Sequence, residues 1–245
     1  MTAVKPDHPL RSAIVDEGYA FVRAPEMRLA LAPIGPLTDW TDFAASWNDL
    51  ELDTYLADRG RYRKRRFAVY DAAAGGPITR QDHQPHYQSR DYNQLFGGIA
   101  RWFAPISSAV GGGSSMLTIL GFCRSLFEGL APAVTNWHIE VHQFRIEARS
   151  DVSGQPTPEG VHRDGVDFVL VLLVNRHNIV SGTTTVFGLE RQPLGSFTLI
   201  DPFDAALVDD ARVYHGVTPV TPLDPAVPAY RDVLVVTLKR SPGLS

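Results

Sequence analysis

Apolar residues along this chain follow different periods before and after about residue 135. In the first half, Gly18-Tyr-Ala-Phe-Val-Arg23 alternates as a short strand, and Met27 to Leu31 reads as a short helix. Thr38-Asp-Trp-Thr-Asp supplies capping residues ahead of Phe43, Trp47 and Leu50. That i, i+4, i+7 stripe predicts an amphipathic helix ending near Leu56, with its aromatic residues in the core. Arg61 to Tyr70 is a dense basic run that reads as a solvated strand face, on which Arg63 or Arg65 could reach a small anion. A turn at 72–76 and a polar stretch at 81–93 follow, and there His83 and His86 read as surface histidines. Gly111-Gly-Gly-Ser-Ser is a hinge or helix entry. Met116, Ile119, Leu120, Cys123, Leu126, Phe127 and Leu130 then recur at helical spacing, with Ser114 or Ser115 as cap. Cys123 lies on that stripe and so reads as a buried, inert thiol.

From Trp137 the period drops to two. Ile139, Val141, Gln143 and Arg145 share one strand face; His138, Glu140, His142, Phe144 and Ile146 share the other. Neither face is cleanly apolar, as expected of a strand that lines a polar cavity. Further strands are predicted at 167–174, 183–187, 196–200, 212–217 and 232–239, while Asp201-Pro-Phe-Asp204 reads as a turn. Six or more strands with little helix predict a mainly β fold with flanking helices, closed or double-sheeted. One domain is expected over 1–245: a mixed α/β part at 1–135 packing on a β core at 136–240.

Composition narrows the function classes. The chain is 44% hydrophobic and 20% charged, ordinary for a soluble globular protein, and its net charge of −4 argues against nucleic acid as a partner. One cysteine permits no internal disulfide framework and fits a reducing compartment. The N-terminus shows no apolar signal core, and no run approaches the roughly 18 apolar residues of a membrane span, so a cytoplasmic location without membrane contact is expected.

The chemistry concentrates in Gly160-Val-His162-Arg-Asp164-Gly165 with His215 and Arg231 downstream. Residues two apart on an extended segment point the same way, so His162 and Asp164 can share a metal. His215 follows Asp164 by 51 residues, and Arg231 follows His215 by 16. Two imidazoles and one carboxylate on one side of a metal leave the opposite positions open, the arrangement of non-haem Fe(II) oxygenases. Gly160 and Gly165 suit a tight metal loop. Arg231, in a strand-like run, offers a two-pronged donor to the distal carboxylate of 2-oxoglutarate. Its plainer role would be a salt bridge to a neighbour such as Asp232. Arg212 should face away from the site, and Arg240 ends its strand. The expectation is an Fe(II) enzyme with 2-oxoglutarate and O2 as co-substrates. Two alternatives stand beside it: a cupin-like metal or small-ligand binding protein without turnover, and a zinc hydrolase, for which no His-Glu-x-x-His helix is present.

Pro158-Glu-Gly-Val-His-Arg-Asp-Gly-Val-Asp-Phe, Val174-Asn-Arg, His215-Gly-Val-Thr-Pro-Val and Tyr230-Arg-Asp-Val-Leu resemble the bacterial 2-oxoglutarate/Fe(II) dioxygenases of the L-isoleucine 4-hydroxylase type. Arg61-Tyr-Arg-Lys-Arg-Arg-Phe and Tyr92-Asn-Gln-Leu-Phe-Gly-Gly are similar to that family's N-terminal half. The resemblance implies a double-stranded β-helix (jelly-roll, cupin-like) core, iron on His162, Asp164 and His215, and 2-oxoglutarate on Arg231. It also implies a small substrate, as relatives hydroxylate or sulfoxidise free aliphatic L-amino acids. Such a substrate needs an acid for its ammonium, for which Glu159 and Asp167 are candidates, and a donor for its carboxylate, for which Arg145, His142 and Arg63 are candidates. The sequence sets neither the substrate's identity nor the oligomeric state.

Overall fold

A computed structural model of the chain describes residues 9–55, 62–92 and 97–241. The extreme N-terminus, Arg61 and the predicted helix end near Leu56 lie outside these residues, as do four residues of the Tyr92–Gly98 segment. The strands in chain order are β1 (Tyr19–Val22), β2 (Glu51–Leu52), β3 (Arg63–Ala73), β4 (Ile78–Arg80), β5 (His86–Tyr87), β6 (Ala100–Arg101), β7 (Asn136–Ala148) and β8 (Phe168–His177). They continue with β9 (Ile179–Ser181), β10 (Thr183–Phe187), β11 (Pro193–Thr198), β12 (Ala205–Asp209), β13 (Tyr214–Val217), β14 (Val220–Pro222) and β15 (Ala229–Arg240). The helices are α1 (Pro9–Glu17), α2 (Ala24–Leu31), α3 (Trp40–Ala45), α4 (Ser108–Gly111) and α5 (Ser114–Leu130).

The major sheet runs β1-β12-β8-β15-β7-β3-β2, with β4 added to β3, and all its pairings are antiparallel. A three-stranded sheet, β11-β10-β13, and the pair β14-β9 supply the second layer of the expected double-stranded β-helix. Register decides which side chains meet. Arg63, Arg65 and Phe67 of β3 lie opposite Ile146, Phe144 and His142 of β7, and Arg231 of β15 lies opposite Ile146. These positions therefore share the sheet face that looks inward to the second layer.

The other face is apolar and carries the helices. Ile139 and Val141 of β7, Leu170 and Leu172 of β8, and Leu234 and Val236 of β15 form one buried cluster with Met116, Leu120 and Phe127 of α5. Phe127 stacks on Phe168, with centroids 4.6 Å apart and planes 1° from parallel. Full burial of such a side chain contributes about 2–3 kcal/mol. The predicted α5 and its buried Cys123 are both present, and burial pushes the thiol's pKa up, which suits an inert packing group.

One local expectation changes. The helix expected from Thr38 is only α3, continued by a 3-10 turn at Ser46–Asp49, because Leu50 turns extended and the chain joins the sheet as β2. Trp47 is nevertheless buried, its indole N–H donating to the Phe144 carbonyl at 3.1 Å. The turn at Asp201–Asp204 is present: the Asp204 carboxylate accepts backbone N–H groups of Ile200 and Asp201, and of Ala24 across the chain. No helix among the described residues is long and apolar enough to cross a membrane.

Candidate active site

His162 is not on a regular strand. It lies in a loop pinned to β13 by two backbone hydrogen bonds, His162 N–H to His215 O at 2.9 Å and His215 N–H to His162 O at 3.0 Å. That bridge puts the two imidazoles side by side, 4.6 Å between centroids. Asp164 projects between them, 3.5 Å from His162 Nε2 and 3.6 Å from His215 Nε2. One ligand atom from each of the three residues lies within 4.8 Å of the others. The expected alignment of His162 and Asp164 thus holds, through a loop rather than a strand.

Three devices shape the loop. Gly160 (φ +80°) and Gly165 (φ +79°) adopt left-handed backbone, and a Cβ at Gly165 would come within 2.5 Å of the Tyr92 ring. The buried Asp210 carboxylate accepts the backbone N–H groups of Asp164, Gly165 and Val166 at 2.9, 2.8 and 3.2 Å. Gln88 donates to the Asp164 carbonyl at 3.0 Å. Asp210 escaped the sequence reading because no side chain of the motif reports the bonds that its backbone makes.

The ring nitrogens decide what the triad can bind. His162 Nδ1 lies 3.0 Å from the Gly160 carbonyl, so Nδ1 keeps its hydrogen in the neutral ring, and release of the Nε2 proton opens a lone pair towards Asp164. His215 Nδ1 is buried without a partner, and its ring is held by the backbone bridge. Burial disfavours charge on His162, yet Asp164 and then Glu159 draw its pKa up to about 9, while burial and neighbouring His162 push His215 down to about 4. The cluster thus takes up one positive charge among its carboxylates. A divalent cation meets the same demand with the donor set N, O, N that suits iron. The residues fit a metal.

Arg231 faces a cavity of about 140 Å³ also lined by His162, Asp164, His215 and apolar Val171, Leu199 and Val233. It is 3% exposed, its Nε has no partner, and burial followed by neighbouring Arg176 lowers its pKa to about 10. The plainer expectation of a salt bridge to Asp232 does not hold, since Asp232 is bound by Arg145 through Nε and Nη2, both at 2.7 Å. A dry guanidinium with an unused N–H beside the triad suits a carboxylate ligand.

A second cavity, about 400 Å³, shares Arg63, Phe144, Glu159, Asp164 and Val235 with the first. Of the residues expected to meet a substrate, Glu159, His142 and Arg63 line it. Glu159 Oε1 is 3.3 Å from His162 Nε2, and its Oε2 is buried without a partner. Arg63 is already taken by Asp53, which accepts from Nε and Nη2 at 2.9 and 2.7 Å. Two expectations are corrected. Arg145 points to the helix side, tied to Asp232 and Asn48, because it shares the strand face of Val141 and Gln143. Asp167 is bound by Arg240 through its Nε at 2.7 Å and its backbone N–H, outside both cavities.

The second cavity also holds a group that the sequence reading missed. His86 is no surface histidine: its Nδ1 is 2.9 Å from Glu140 Oε2, and His142 Nε2 is 3.7 Å from the same oxygen. His86, Glu140 and His142 are, like the first triad, close enough to hold a metal. Here, however, Arg65 Nη2 donates to His142 Nδ1 at 2.6 Å, so the neutral ring's one hydrogen sits on Nε2. Burial pushes the His142 pKa down to about 3, which keeps it neutral. Its Nε2 therefore has no lone pair to offer.

Residues 44–237 match the family described as 2OG-Fe dioxygenase. The 3(1)-hydroxy-L-isoleucine 4-dioxygenase of Pantoea ananatis is 25% identical over 92% of this chain and 93% of its own. Among solved structures, a bsmA homolog from Methylobium petroleophilum superposes with a TM-score of 0.87 at 34% identity, covering 100% of this chain and 96% of its own. IDO from Bacillus thuringiensis superposes with a TM-score of 0.75 at 19% identity, over 95% of this chain and 98% of its own, a likeness of fold.

Proposed function

Because this chain belongs to the 2OG-Fe dioxygenase family, we propose that it hydroxylates a small substrate, a free L-amino acid, with His162, Asp164 and His215 holding the iron. The enzyme uses Fe(II), with 2-oxoglutarate and O2 as co-substrates, and the alternatives of a binding protein without turnover and a zinc hydrolase give way to it. Bound Fe(II) supplies the oxidative decarboxylation of 2-oxoglutarate to succinate and CO2, coupled to insertion of one oxygen atom into the substrate. The protein's residues supply placement.

In this reading Arg231 receives the distal carboxylate of 2-oxoglutarate in the narrower cavity. Val171, Leu199 and Val233 exclude water there, which strengthens the charge-assisted bonds. The wider cavity receives the substrate from the opposite side of Asp164, and Glu159, with its partnerless buried oxygen, takes the ammonium. A free amino acid is favoured by the activity for which the Pantoea relative is named and by a cavity of about 400 Å³ with both acidic and basic groups in its lining. We read 1–245 as one domain, since β3 of the N-terminal part pairs along its length with β7 of the β core.

The observation that carries the reading is the position of an unpaired, buried Arg231 in the same cavity as the three convergent donors. Its test is succinate release by the Fe(II)-loaded full chain across a panel of free L-amino acids. At least one aliphatic amino acid should raise succinate release well above the rate without substrate and gain one oxygen atom by mass. Stimulation by none, with 2-oxoglutarate still consumed slowly, overturns the amino-acid substrate and leaves the dioxygenase.

A further inference from the structure

A pair of cationic groups in the wider cavity is used neither by the triad nor by Arg231. Arg101 ends β6 opposite His86 of β5, so this pair of short strands brings both residues to the cavity. Arg101 is 3% exposed, yet among the described residues no carboxylate lies within ion-pair distance of it. Its Nη2 makes one long contact, 3.5 Å to Gln88 Oε1, and its Nε is buried without a partner. Arg65, also 3% exposed, has a partnerless Nε too, although its other nitrogens reach His142 and Asp53. Both guanidinium carbons lie near one ring, 3.5 Å (Arg65) and 5.8 Å (Arg101) from the centre of Phe103.

Charge balance singles out these two. Asp53 pairs with Arg63 and touches Arg65 at 3.5 Å, and acts on Arg101 only at longer range, as Glu159 and Glu140 do. Glu140 is engaged by His86, with His138 and His142 both at 3.7 Å, and Glu159 is drawn to His162. A guanidinium removed from water without a counter-ion is costly, and buried N–H groups without acceptors are rare in native proteins. The missing partner is a planar anion able to take two parallel N–H bonds, which is a carboxylate. Burial and then Arg63 lower the Arg65 and Arg101 pKa values, against the pull of Asp53 on both and of Glu159 and Glu140 on Arg101, so neither guanidinium is fully compensated for its loss of water.

We propose that Arg101, with Arg65, anchors the carboxylate of the substrate, a site separate from the 2-oxoglutarate carboxylate site at Arg231. This rests on the reading of the wider cavity as the substrate cavity. It transfers the carboxylate role from Arg63, which Asp53 satisfies, and from Arg145, which faces away.

The test uses the Fe(II)-loaded full chain with L-isoleucine, L-leucine, L-valine, their primary amides and the deaminated acids such as isovalerate. Binding is read anaerobically, as perturbation of the charge-transfer band of the Fe(II)–2-oxoglutarate complex, and turnover as succinate. The acids should bind and the amides should bind at least tenfold more weakly. Arg101→Ala should raise the KM and dissociation constant for the acid tenfold or more, with Arg101→Lys between the two. The 2-oxoglutarate midpoint should move less than twofold, whereas Arg231→Ala should move that midpoint and not the acid preference. Deaminated acids that bind through Arg101 when no amino acid does would retire the amino-acid reading and uphold the anchor. Equal binding of acids and amides, unchanged acid affinity in both Arg101 variants, or binding of no carboxylate at all would overturn the anchor. A larger shift for 2-oxoglutarate than for the acid would also overturn it, assigning Arg101 to the co-substrate.

Discussion

Among the described residues, two histidines and a carboxylate meet twice on the inner side of this fold, at His162, Asp164 and His215 and at His86, Glu140 and His142. The composition is nearly the same, and the difference lies in what touches the far ring nitrogens. A backbone carbonyl takes the Nδ1 hydrogen of His162 and frees Nε2, whereas the Arg65 guanidinium occupies Nδ1 of His142 and forces the hydrogen onto Nε2. One group is thereby prepared for a cation, and the other closes into a hydrogen-bonded network around Glu140. Proximity of ligand-type side chains does not by itself make a metal site; the partner behind each ring decides its use.

Removing a ligand separates the two groups most sharply. His215→Ala should lower substrate-dependent succinate formation by more than about a hundredfold, since even outer partners of metal ligands are worth about 10–100-fold. His86→Ala, which removes a ring from the network alone, should retain the ability to load iron. Arg231→Ala should raise the 2-oxoglutarate requirement by about 10–100-fold, measured by anaerobic titration, because a dry charge-assisted pair is lost. Asp210→Ala frees three backbone N–H groups of the metal loop and should weaken Fe(II) affinity by about tenfold or more. Asp210→Asn keeps an acceptor and should lose less. The smallest effect is on stability: His142→Phe removes one arm of the network and leaves Arg65 Nη2 and Glu140 short of a partner. It should cost about 1–3 kcal/mol in denaturant unfolding while iron loading persists.

Much of the inner surface was legible because strand period and side-chain chemistry act together. The alternation in β7 placed Glu140, His142 and Phe144 on one face and Arg145 on the other, and the structure keeps that division. Assigning Arg145 to the substrate contradicted that same alternation, which puts it on the helix side with Val141. His162, Asp164, His215 and Arg231 were legible from their chemistry and spacing, although His162 and Asp164 meet through a loop bridged to β13 and not along a strand. What stayed hidden depends on contacts distant in sequence. Asp210 acts on backbone, Asp53 claims Arg63 from just past β2, and the strands β5 and β6 are too brief to show a period, so His86 looked like a surface residue and Arg101 drew no attention. The strand β12 was missed because Ala205 to Asp209 is buried on both faces except at its end and so lacks alternation.

Equilibrium dialysis of the full chain against Fe(II) under anaerobic conditions, with the parent beside His162→Ala and His86→Ala, tests the central distinction most directly. One iron per chain is expected for the parent, near-complete loss in His162→Ala, and one iron retained in His86→Ala. Two irons per chain in the parent, or iron lost from His86→Ala and kept by His162→Ala, would contradict that distinction.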